Sequence, residues 1–223
     1  MDHDHPAANA ATITTTTATT TTGVIANHHH DHPGFAGVRG ALMGLLFAAK
    51  GGGRAQLVCD LASVGPGDRV VDIGCGPGNA VRAVAARGGH ATGVDPSRVM
   101  LRVARLLTVR RRAAIGWAEG AAESIPVADG STTVVWSVAC VHHWADVEGG
   151  IAEIRRVLAP SGRFLAAERR TTADATGVAS HGWTDEQADV FADACRRLGF
   201  ADVEVSAESI DGAPVLVVRA TQP

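Results

Sequence analysis

An apolar strand, Val70-Val71-Asp72-Ile73, runs directly into Gly74-Cys75-Gly76-Pro77-Gly78, which places glycines at alternate positions. Residues without a Cβ tolerate positive φ and let a bulky ligand approach bare backbone, so this turn has the chemistry of a cofactor contact. A nicotinamide dinucleotide turn requires Gly-x-Gly-x-x-Gly, with its last glycine beside a pyrophosphate at a helix N-terminus. Here Asn79 holds that last place. A second strand, Ala91 to Val94, is closed by Asp95, 21 positions after Gly74. A carboxylate there suits ribose hydroxyls. The pattern points to a nucleoside without provision for a pyrophosphate. Farther on, His142-His143 follows a fourth strand on the side where doubly wound sheets bind ligands. Imidazole titrates near neutrality, so one of the pair could act as a general base; equally, one could line the pocket while the other faces solvent.

These segments together resemble a known family. Val71 to Gly78, then Val94-Asp95-Pro96-Ser97, then Glu119 to Pro126, are similar to the first three motifs of class I S-adenosylmethionine-dependent methyltransferases. Thr133 to Ser137 followed by His142-His143-Trp144, and Leu158 to Phe164, resemble the fourth-strand motif and fifth-strand turn of its small-molecule, type 11-like branch. The resemblance covers about residues 40 to 220 in order, which is more specific than one glycine turn.

It implies a doubly wound, Rossmann-like α/β fold: seven strands, mainly parallel, ending in an antiparallel hairpin. It also implies S-adenosyl-L-methionine as cofactor and methyl transfer to an oxygen, nitrogen or carbon of a small organic acceptor. By the same carry-over Gly74, Cys75, Gly76 and Gly78 lie under the methionine and ribose, Asp72 orients the loop, and Asp95 with Pro96 takes the ribose. The backbone of Ala121 and Ala122 meets the adenine, and Ser137 borders the cofactor. His142 and His143 are the catalytic candidates. Two departures stand out. Many relatives carry an acid where this chain has Ala121, leaving the adenine amine to backbone, Glu123 or water. The usual Pro-Gly-Gly is here Pro160-Ser161-Gly162. The missing acid keeps a second reading in play, a non-catalytic cofactor-binding module acting through a partner.

Composition narrows the field further. At 223 residues the chain has room for one domain and some spare length. A net charge of −3 provides no basic field for nucleic acid. Lys50 is the only lysine and lies outside any Gly-Lys-Ser/Thr loop, and there is no tyrosine for a Tyr/Lys dehydrogenase pair. Cys59, Cys75, Cys140 and Cys195 are widely spaced, so neither a zinc site nor a disulfide frame is expected, and a reducing cytoplasm is the natural compartment. No apolar run is long enough for a membrane span. The expected partner is thus a small-molecule acceptor, with no nucleic acid and no membrane.

Residues 1 to 33 differ from the rest: they hold six of the ten histidines, and nine of the eleven residues from Thr12 to Thr22 are threonine. Such a tract buries too little apolar surface to offset its ordering entropy, so a disordered tail is expected there and a methyltransferase domain over 34 to 223. His28-His29-His30-Asp31-His32 reads as solvated rather than as a metal site, and Arg110-Arg111-Arg112 as surface charge at a helix end.

Beyond the tail, helical faces are expected at Leu42, Leu45, Leu46 and Ala49; at Leu57, Val58 and Leu61; and over Asn79 to Arg87. A helix capped by Ser97 should turn Val99, Val103, Leu106 and Leu107 inward. Strands follow near Ala113 to Trp117, Thr133 to Val138 and Arg163 to Ala167, with a helix through Val147, Ile151 and Ile154 between the last two. Thr184 and Gln187 form a capping-box pattern, and Asp211-Gly212 marks a terminal hairpin. His181 and Trp183 either reach the acceptor mouth or anchor the next helix. The acceptor pocket is expected between Leu42 to Phe47, Val141 to Trp144 and Arg169 to Trp183.

Overall fold

A computed structural model describes residues 37–108 and 114–223. The expected tail, the arginine run and Ala113 lie outside the described residues. The elements are α1 (Gly37–Lys50), α2 (Gly52–Leu61), β1 (Arg69–Ile73), α3 (Asn79–Ala86), β2 (His90–Asp95), α4 (Arg98–Leu107), β3 (Ile115–Glu119), β4 (Thr132–Val138), α5 (Val147–Val157), β5 (Leu158–Arg169), α6 (Asp185–Arg197), β6 (Ala201–Ile210) and β7 (Ala213–Thr221).

The seven strands form one sheet in the order β3-β2-β1-β4-β5-β7-β6. The first five run parallel, with Ile73 beside both Val94 and Ser137, and Ser137 beside Ala166. β7 enters antiparallel between β5 and β6, completing the expected hairpin. Asp211 and Gly212 take φ of 50° and 79° at its tip, the paired positive angles of a tight hairpin turn. Strand order reverses between β1 and β4, which opens a crevice at the carboxyl ends of those strands.

Each sheet face carries its own apolar layer. Val71, Ile73, Val135 and Phe164 pack beneath α5 and α6 against Ile151, Ile154 and Phe191. On the other face Val70, Val134, Trp136 and Leu165 meet Val58 of α2, Val81 and Val84 of α3 and Leu101 of α4. Alternating residues of β1 and β4 thus serve opposite layers, as strand pleating dictates for a doubly covered sheet.

Helix ends follow local chemistry. Ser97 Oγ accepts from Met100 N–H at 3.3 Å, and Asp146 Oδ1 accepts from Gly149 N–H at 3.0 Å. Thr184 and Gln187 close the reciprocal capping box. Ser161 takes φ of 61°, which explains why glycine is usual there; its N–H donates to Gln222 O at 2.9 Å.

Two expected faces need correction. In α4 the buried residues are Met100, Leu101, Val103 and Ala104, while Leu106 and Leu107 are exposed. The inward stripe is centred on Met100 and Ala104, which places Leu106 on the flank, and Leu107 is the helix's last residue. In α1, Leu42, Leu45 and Leu46 are likewise exposed, because the helix approaches α4 through Gly44. A Cβ at Gly44 would stand 3.1 Å from Met100 Sδ. No helix among the described residues is long and apolar enough to cross a membrane.

Candidate active site

The glycine turn leaves the end of β1 with three positive φ angles: 68° at Gly74, 51° at Gly76 and 79° at Gly78. Their surroundings differ. A Cβ on Gly74 would lie 2.1 Å from Cys140 Sγ, and one on Gly78 would lie 2.2 Å from Trp117 Cη2. Gly76 has open space on that side, with nothing within 4 Å of its Cβ position. The outer glycines therefore let the turn seat on its neighbours, and the central one presents bare backbone to the crevice. Trp117 lies opposite Gly93 on β2, where a Cβ would again collide with the indole, at 2.5 Å. A glycine inside a strand commonly marks such a close approach.

Asp95 ends β2 at the same edge. Its Oδ2 accepts from Gly76 N–H at 2.8 Å and its Oδ1 from Ser97 N–H at 2.8 Å. One carboxylate thus locks the glycine turn to the start of α4, and each oxygen keeps a further lone pair. Burial raises the Asp95 pKa despite these two amide bonds. Asp72, one strand over, is also buried, and desolvation chiefly lifts it from 3.8 to about 7, with the neighbouring Trp136 indole opposing and Asp95 adding.

Gly120 N–H donates to Asp95 O at 3.4 Å, and a turn bridging Ala121 and Ser124 brings Ala121 and Ala122 against the end of β2. The Ala122 side chain sits in the core, so only its backbone is available. Glu123 Oε1 accepts from Asp146 N–H at 2.9 Å, which engages that carboxylate with the start of α5. Ser137 is fully buried at the end of β4, and its hydroxyl has no hydrogen-bond partner among the described residues.

The Cys140 to Trp144 segment lies beside the glycine turn, since Cys140 Sγ occupies the space over Gly74. Val141–His143 forms a single 3-10 turn. His142 is buried, and its Nδ1 stands 2.9 Å from Oε2 of the fully buried Glu168, whose Oε1 accepts from Val141 N–H at 2.7 Å. His143 and His181 complete a ring cluster, with centroids 4.0 Å from His142 to His143 and 5.3 Å from His181 to each. Trp183 is buried with its ring 5.0 Å from Phe191, so it anchors α6, whereas His181 faces the two histidines.

The four thiols are unsuited to nucleophilic work. Burial raises all of them, Cys59 to about 11, Cys195 to about 12, and Cys75 and Cys140 well up beside Asp72 and Asp95. Two hollows elsewhere, one by Arg69, His90 and Thr132 and one by Arg163, Asp202 and Arg219, contain none of the site residues.

The structure therefore brings Asp72, Gly74, Cys75, Gly76, Gly78, Asp95, Pro96, Ala121, Ala122 and Ser137 to one sheet edge, with His142 and His143 adjoining. Trp117 and Glu168 escape a reading of the sequence, which for His181 leaves open the two alternatives that the fold decides. A lone acid closing the apolar run Phe164 to Ala167 is the one signal for Glu168.

Residues 71–166 match a family model described as a methyltransferase domain. Over those residues the chain is similar to that family, in keeping with the resemblance to class I S-adenosylmethionine-dependent methyltransferases. Among curated relatives of this chain is a ubiquinone/menaquinone biosynthesis C-methyltransferase of Rubrivivax gelatinosus, 34% identical over 113 residues, which are 51% of this chain and 44% of that protein. A demethylmenaquinone methyltransferase of Tropheryma whipplei is 33% identical over 51% of this chain and 46% of its own length. The matched stretch thus spans less than half of either relative. A solved SAM-dependent methyltransferase from Aquifex aeolicus superposes with a TM-score of 0.63 at 14% identity, covering 76% of this chain and 89% of that one, and shares the fold.

Proposed function

We propose that this chain moves the sulfonium methyl of S-adenosyl-L-methionine to an oxygen, nitrogen or carbon of a small organic acceptor. The observation that carries the reading is the joint between Gly76 and Asp95. Bare backbone and a buried carboxylate meet at the carboxyl ends of β1 and β2, beside the point where strand order reverses, with open space above Gly76.

In this reading the cofactor carries the reactivity when bound, and the chain supplies binding, alignment and exclusion of water. The unused lone pairs of Asp95 take the ribose hydroxyls. Backbone at Ala121 and Ala122 takes the adenine, since Glu123 serves Asp146. The Ser137 hydroxyl supplies a further polar contact at the edge, and Asp72 stiffens the turn from below. Aligned reactants alone lower a barrier by roughly 7 to 11 kcal/mol.

The acceptor then enters between α1, the Val141 to Trp144 segment and the connection after β5. Asn79 Nδ2 donates to Phe47 O at 2.8 Å, so the end of α1 is tied to the start of α3, directly after Gly78. The exposed Leu42, Leu45 and Leu46 beside it give that mouth an apolar wall.

The test is formation of S-adenosylhomocysteine by the full chain across a panel of phenols, amines and carboxylic acids. Product with at least one acceptor, tracking protein concentration, is the expected result. Tight donor binding with no product from any acceptor would shift the reading to a non-catalytic cofactor-binding module, which the alanine at 121 already suits.

A further inference from the structure

The histidines nearest the acceptor mouth form a constellation that methyl transfer does not require. The metal-capable nitrogens of His142, His143 and His181 all lie within 4.8 Å of one another. We propose that these three side chains form a site for a divalent first-row transition metal, zinc foremost, with Glu168 orienting His142 and one coordination position left open. No metal site was expected from cysteine spacing; this one is assembled from two distant segments.

The site is built from both sides. Glu168 is fixed by the Val141 amide at 2.7 Å and in turn faces His142 Nδ1 at 2.9 Å. A carboxylate against one ring nitrogen, orienting the imidazole, is the second-layer arrangement that metal-bound histidines share. The segment bearing His181 is stitched to the end of β5. Trp183 N–H donates to Arg169 O at 2.9 Å, Thr171 N–H to Trp183 O at 2.8 Å, and Arg169 Nε to His181 O at 3.1 Å. Gly182 takes φ of 145°, and a Cβ there would strike Arg169 O at 2.1 Å, so the chain passes against the strand backbone.

Three imidazoles without an oxygen ligand among them suit zinc, cobalt, nickel or copper over calcium or magnesium. Zinc at about 2.0–2.1 Å from each nitrogen in a tetrahedron sets neighbouring nitrogens about 3.3 Å apart. The nitrogens lie within 4.8 Å of one another, so the half-buried His143 and His181 rings must turn inward to close on an ion. Three protein ligands with a vacant fourth place are the arrangement of reactive rather than structural zinc. A general-base reading employs His142 and Glu168 alone, whereas the fold gathers two further imidazoles against His142.

The use of the open position rests on the methyl-transfer reading. An acceptor hydroxyl bound there loses its proton to solvent, its oxygen pair forms the bond to the methyl carbon, and the carbon–sulfur pair leaves with the thioether. Metal binding itself does not depend on that reading.

The tail would confound a titration, so the full chain is used with His3, His5, His28, His29, His30 and His32 changed to alanine, leaving His90 as the only other histidine. After chelator treatment, cobalt(II) is titrated while visible absorption is followed, and zinc(II) is then added in competition. One equivalent per chain, with the intense bands of four-coordinate cobalt displaced by zinc, is expected. His181→Ala and His143→Ala should each weaken binding at least tenfold, and Glu168→Gln by about 10–100-fold. His90→Ala should change nothing, and circular dichroism identifies any variant that fails to fold. Absence of a stoichiometric cobalt site, or unchanged affinity in folded His181→Ala, overturns the proposal. Donor binding is measured separately by calorimetry on the metal-free protein. Its loss would count against the methyl-transfer reading while the cobalt spectrum still decides the metal site.

Discussion

Gly74, Gly76 and Gly78 share a left-handed backbone but answer to different neighbours, and substitution should separate them. A left-handed angle costs an L-residue about 1–2 kcal/mol, so Gly76→Ala should lose about that much stability. Gly74→Ala and Gly78→Ala add collisions with Cys140 and Trp117, and overpacking contributes about 1–3 kcal/mol more. Urea denaturation should therefore rank both outer variants below Gly76→Ala, while donor affinity should fall in Gly76→Ala because its new methyl enters the crevice. Equal losses of stability at all three positions would contradict the packing described. Asp72 makes a second residue-scale prediction. Its pKa rises from 3.8 to about 7 on folding, so between about pH 4 and 7 the native state holds a proton that the unfolded chain has released. Stability from this group consequently falls as pH rises through that window. Asp72→Asn should melt higher than the parent at pH 8 and show no such gain at pH 4; a variant that gains equally at both would refute the assignment. These glycines and acids were legible in the sequence because alternate glycines after an apolar strand have few other uses. Glu168 was not, because its meaning depends on a contact 26 residues away, and the choice between the two readings of His181 depends on a different segment altogether.

Among the elements, α6 offers the cleanest test of local signals. Thr184 accepts from Gln187 N–H at 3.3 Å while Gln187 Oε1 accepts from Thr184 N–H at 2.9 Å. Thr184→Ala should cost about 1 kcal/mol in chemical denaturation, the usual worth of such a cap. A neutral effect would show that packing of Phe191 and Ala194 alone holds the helix. Caps, the Asp211-Gly212 turn and the strand starts depend on adjacent residues, and the sequence displays them. Faces are harder. Leu106 and Leu107 lie C-terminal to the residues that α4 buries, and counting large apolar side chains places the stripe too far along. In α1 the same counting found leucines that stay exposed, because the helix meets α4 through the small Gly44. Small residues at a contact leave little trace in a hydrophobic pattern.

For the whole molecule, alternation of strands and helices anticipates the parallel sheet and the Asp211-Gly212 turn the terminal hairpin, while the place of β7 between β5 and β6 comes from the folded chain. The positions at which distant segments meet at the crevice came only from the folded chain. Both apolar layers draw on residues from Ala55 onward among the described residues. Removing residues 1 to 32 should therefore leave the melting temperature and donor affinity close to those of the full chain, as thermal unfolding and calorimetry would show. A marked drop in either would assign the histidine- and threonine-rich segment a place in the fold.

The central claim is that the Asp95 edge holds the methyl donor, and calorimetric titration of S-adenosyl-L-methionine tests it most directly. The parent chain should bind one donor per chain and bind NAD far more weakly. Folded Asp95→Ala should lose roughly 1.5 to 3 kcal/mol of donor affinity, the worth of hydrogen bonds to a charged group. Unchanged donor affinity in that variant, or NAD binding as tight as the donor in the parent, would contradict the account.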